Sequence, residues 1–148
     1  MGIKRIKTKH QKHNVEEIKG SYKFSYIKFN FSFLSTNKQY NFENSKITSK
    51  IKVDILDRII ELSLDTIMAV QALGKERGLE TIDNSNIKIS AKCKSNFEDN
   101  EERVQICSDK YYIFRVYPNN NPYPARLIGR WAKGVFYIFF IELEHKYV

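Results

Sequence analysis

The chain is predicted to fold as an α+β domain, an antiparallel sheet of about five or six strands with one long helix packed on one face. Three observations predict it. Aromatic and β-branched residues recur with period two in several short runs. One longer run, residues 51–73, carries its apolar residues at helical spacing. The connections between runs are short, which favours antiparallel neighbours in the sheet.

The elements follow in order. Residues 1–20 are polar and basic and are read as a flexible arm, and 21–148 as a single domain, long enough at 42% hydrophobic content to bury a core. Tyr22, Phe24 and Tyr26 alternate with polar residues, as do Phe29, Phe31 and Phe33; the phase slips at Tyr26 and Ile27, which predicts a bulge or two short strands. A polar turn at 36–40 follows, and Thr48 or Ser49 is placed to cap the helix. Val53, Leu56, Ile59, Ile60, Leu64, Ile67, Met68 and Leu73 form its apolar stripe, read as core, with Asp54 and Arg58 pairing on the wet face and Gly74 ending it. Strands are expected at 87–92, 103–108 and 111–117, separated by an acidic turn at 97–102. After the PNNNPYP loop, 126–131 and 135–143 form a hairpin turning at 132–134, and VFYIFFI reads as a strand buried on both faces.

Charge and cysteine usage narrow the function classes. The net charge is +8, and the arm holds Lys4, Arg5, Lys7, Lys9 and Lys12 before any acid, a pattern suited to polyanions. The same excess also fits a composition rich throughout in Lys, Asn and Ile. Cys93 and Cys107 stand apart and without metal-ligand spacing, and are read as buried free thiols. The longest apolar run, 135–141, is too short to span a bilayer, and a cytoplasmic, soluble protein is expected. The nucleophile-elbow, zincin, P-loop and dinucleotide signatures are absent, so no cofactor or metal is expected. His10 and His13 are read as exposed, and Glu98, Asp99, Glu101 and Glu102 as a solvated turn.

The C-terminal hairpin gathers the residues with the most chemistry. On a strand, Arg126, Ile128 and Arg130 share one face, and two guanidinium groups there would grip a phosphate bidentately. A metal-free ribonuclease needs such cations, a base for the 2′-hydroxyl and an acid for the leaving oxygen. Arg126, Arg130, His145 and Tyr147 are therefore the candidate catalytic residues. Lys4, Arg5, Lys7, Lys9, Lys12, Arg115 and Lys133 are the candidate nucleic-acid contacts. The competing reading is an ordinary basic strand with an exposed charged face.

Arg126-x-x-Gly129, followed by Phe136, Tyr137, Ile138, then Glu142 and His145, Lys146 and Tyr147, resembles the C-terminus of small phage- and plasmid-encoded proteins. These carry Arg-x-x-Gly and then Phe-Tyr-Ile-x-x-x-Asp-x-x-His-Lys-x-Tyr; here Glu142 replaces the Asp and Tyr147 comes one position early. The segments FSYI and LDRIIELS extend the resemblance over most of the chain. More distantly, RLIGR followed by GVFYI is similar to the central hairpin of RelE/HigB-type toxins. That similarity implies a metal-independent endoribonuclease acting on RNA, at the ribosome, with an antitoxin as partner. The chain departs from it in length and in placing its helix after two strands. The alternative is a non-enzymatic protein that binds a host protein or nucleic acid, for example to inhibit a defence system. A third reading is a dimeric assembly protein with the Phe-rich strands as its interface.

Overall fold

The computed structural model describes residues 25–74, 79–82, 97, 100–108 and 110–144. They form an α+β fold around one five-stranded mixed sheet. The strands are β1 (Lys28–Asn30), β2 (Leu79–Ile82), β3 (Tyr111–Arg115), β4 (Arg126–Ala132) and β5 (Val135–Glu142), in the spatial order β1-β5-β4-β3-β2. The helices are α1 (Ser49–Ser63), α2 (Ile67–Gln71) and α3 (Glu101–Ile106).

The segments read as strands at 111–117, 126–131 and 135–143 do form β3, β4 and β5, and consecutive ones pair antiparallel. β4 turns into β5 through Lys133 and Gly134, both at positive φ (50° and 79°), the geometry that matches the twist of a tight hairpin. β1 departs from the expected antiparallel sheet. It pairs parallel with β5, setting Phe29 beside Phe136, and stops where the Asn30 side chain accepts from the Ser32 amide at 2.7 Å. Phe31 and Phe33 accordingly lie beyond the strand. β2, with the sequence LETI, went unread because four residues with an interior Glu give too short an alternation. The expected strand at 87–92, Cys93, and the histidines of the arm lie outside the described residues.

β5 holds one residue too many for its partner: Ile128 pairs with Phe140 and Gly129 with Ile138, leaving Phe139 as the bulge. Phe139 and Phe140 therefore both join the cluster formed with Ile113, Ile128, Ala132, Tyr111 and Tyr40. Leu127, Trp131, Phe136 and Ile138 belong to a second cluster, shared with Ile51, Ile55 and Leu62 of α1. Strand alternation assigns the two clusters to the two faces of the sheet. Gly129 faces the bulge so closely that a Cβ would lie 1.8 Å from the Tyr137 carbonyl oxygen, and only glycine fits.

Three helical expectations change. First, the run 51–73 is two helices, because Thr66 leaves the helix to bridge Tyr26 and caps α2, its hydroxyl accepting from the Ala69 amide at 3.2 Å. Second, residues 101–106 are helix α3 and not strand. Asn100 caps it by accepting from the Arg103 amide at 3.0 Å, and Glu101 and Glu102 suit the positive end of its dipole. Third, the faces of α1 are exchanged for most of the expected stripe, although Ile59 packs against the core and Ile67, on α2, is buried as expected. Ile51, Ile55, Arg58 and Leu62 are buried, while Val53, Leu56, Ile60, Leu64 and Met68 are 46% to 71% exposed. Arg58 is not on the wet face with Asp54. Its Nε donates to the carbonyl of Arg115 at 3.0 Å, satisfying the end of β3, and its Nη1 meets Glu61 at 3.0 Å.

This division of α1 is measurable. Ile55→Ala is expected to lower unfolding free energy by about 2–5 kcal/mol, the cost of a core cavity. Ile60→Ala is expected to stay within about 1 kcal/mol of the parent, since no core contact is lost. Urea unfolding of both variants checks it; equal losses would contradict the assigned faces.

Candidate functional site

The hairpin arginines are inside the body. Arg126, the first residue of β4, is 1% exposed, and its cross-strand neighbour Glu142, the last of β5, is 2% exposed. Arg126 Nη2 donates to Glu142 Oε1 in a buried ion pair, while Arg126 Nε finds no acceptor among the described residues. Arg115 sits beside Arg126 in the register and is buried too, so β3, β4 and β5 carry a row of Arg, Arg and Glu into the interior. Arg130 is likewise buried, its guanidinium 4.9 Å from the ring centroid of Tyr111. The expected exposed phosphate grip is therefore not formed: Arg126 is engaged by Glu142, and Arg130 by an aromatic face. The competing expectation of an exposed basic strand is corrected by the same burial. Lys133 is exposed at the hairpin tip. His145 and Tyr147, and Lys4, Arg5, Lys7, Lys9 and Lys12, lie outside the described residues.

A cleft of about 500 Å³ opens beside the ion pair, lined by Lys38, Tyr40, Glu43, Lys46, Glu142 and Glu144 among others. Two of its three acids are engaged within the protein. Glu142 is held by Arg126, and Glu144 pairs with Lys46. Cys107 is a buried thiol whose Sγ donates to the Val104 carbonyl at 3.1 Å, an inert setting.

One polar cluster is more exposed. Tyr117 donates its hydroxyl to Asp54 Oδ2 at 2.6 Å, and Lys50 Nζ reaches the same oxygen at 3.1 Å. The Tyr117 bond first, then Lys50, hold the Asp54 carboxyl below its ordinary range. Burial first, then the Asp54 carboxylate, push the Tyr117 hydroxyl upward. The following loop places Asn119 and Asn120 at φ of 59° and 58°, which asparagine tolerates. The cluster fastens this loop to α1. It offers neither a depressed phenol nor a raised carboxyl for proton transfer near neutrality.

Charge follows burial. The described residues hold 12 of the 25 Lys and Arg and 10 of the 17 Asp and Glu, a net of +2 out of the chain's +8. Four of those cations (Arg58, Arg115, Arg126 and Arg130) and one anion (Glu142) are buried, leaving 8 accessible cations against 9 accessible anions. The surface of the described body is not basic, and the polyanion pattern resides in residues outside it.

What that surface does present is apolar. Val53, Leu56 and Ile60 line up at intervals of three or four residues, on the side of α1 opposite Ile51, Ile55 and Leu62, with Leu64 exposed at the C-cap and Met68 exposed on α2. Among the described residues no helix is long and apolar enough to cross a membrane. The sequence shows these residues plainly; what it lacks is a signal separating a stripe turned outward from one turned inward. Comparison with protein-family models, with curated proteins and with solved structures gives no match to this chain.

The structural role of the Arg126 and Glu142 pair can be separated from a catalytic one. Arg126→Met alone is expected to cost about 3–5 kcal/mol, because a buried carboxylate is left unpaired, and adding Glu142→Leu should restore most of it. Urea unfolding of the single and double variants reads this out. An Arg126→Met single variant of parental stability would mean that the guanidinium is free for another partner.

Proposed function

We propose that the chain is a non-enzymatic binding protein that docks a protein partner through the outer face of α1. The observation that carries this reading is the row of exposed apolar side chains Val53, Leu56 and Ile60 opposite the helix's core face, with Leu64 exposed at its C-cap. A solvated helix ordinarily carries charged residues there, and a continuous exposed stripe marks an interaction surface. The near balance of accessible charge supports a protein partner over a phosphate backbone for this body, since nucleic-acid interfaces are strongly basic.

The ribonuclease reading draws on Arg126 and Arg130, and the engagement of both inside the body gives it no support. His145 and Tyr147 would act from outside the described residues. The Phe-rich strands expected to form a dimer interface are also occupied otherwise. Phe29 and Phe136 meet edge-on at 5.9 Å, and Phe33 and Phe97 at 5.2 Å, within the body's own clusters.

Site-specific photo-crosslinking in cells tests the proposal. A photoreactive residue at Ile60 is expected to give a discrete protein adduct, and one at the exposed hairpin tip, Lys133, is expected to give none. Absence of an adduct at Ile60, or adducts at Lys133 alone, would rule out the outer face of α1 as the docking surface. The adduct's mass, read against the chain's 17.5 kDa, reports whether the partner is a second copy.

A further inference from the structure

We draw no further inference here: the strongest candidate, the outer face of α1 with Val53, Leu56 and Ile60 exposed, belongs to the docking surface already described, and nothing in the structure shows what covers it.

Discussion

The pairing of β4 with β5 constrains everything else in this protein. Every residue of β4 is buried, and each of the two strands is flanked on both edges and covered on both faces. A charged group in such a place has to find its counter-charge or an aromatic face inside the protein, because water cannot reach it. Arg126 finds Glu142 one strand away, and Arg130 finds the ring of Tyr111. The close approach that forces glycine at 129 comes from the bulge at Phe139 in the same pair of strands. The Arg-x-x-Gly pattern and its distant acid thereby acquire a structural meaning: one arginine for one buried carboxylate, and one glycine for one bulge.

With the hairpin committed to the interior, the accessible chemistry moves to the helix. α1 is apolar on two opposite sides. The inner side is fixed by the shared cluster with the sheet and by Arg58, whose reach to the Arg115 carbonyl locks the rotation of the helix. Tyr117 and Lys50 hold Asp54 near the start of the same helix. These polar contacts decide which apolar side faces in, and the other remains at the surface.

Much of this fold was legible in the chain. The run YYIFRVY, the apolar run VFYIFFI and the hairpin turn at 132–134 place β3, β4 and β5, and Thr48 caps α1, accepting from the Ile51 amide at 3.2 Å. The parts that were not legible share a physical cause, which is that local pattern does not encode tertiary cover. Apolar residues surround most of α1, so periodicity finds the helix but cannot choose its inner side. Arg126 and Arg130 alternate as they would on a wet strand. Only the chain passing over that face, with Tyr40, Phe97 and Cys107, makes it dry. β1 became parallel because its partner was β5, far along the sequence, and no hairpin signal could announce it. Residues 103–106 read as strand although Asn100, Glu101 and Glu102 form a capped, dipole-matched helix start; that signal was present and was outweighed by the β-branched residues after it.

Side-chain nitrogen NMR of the arginines, recorded on the full chain during titration with a short single-stranded RNA, tests most directly whether the hairpin is scaffold. The account predicts that the guanidinium resonances of Arg126 and Arg130 exchange slowly with water and do not move as RNA is added. Resonances at these two positions that exchange freely and shift in proportion to bound RNA would contradict it, and would return the hairpin arginines to a phosphate-binding role.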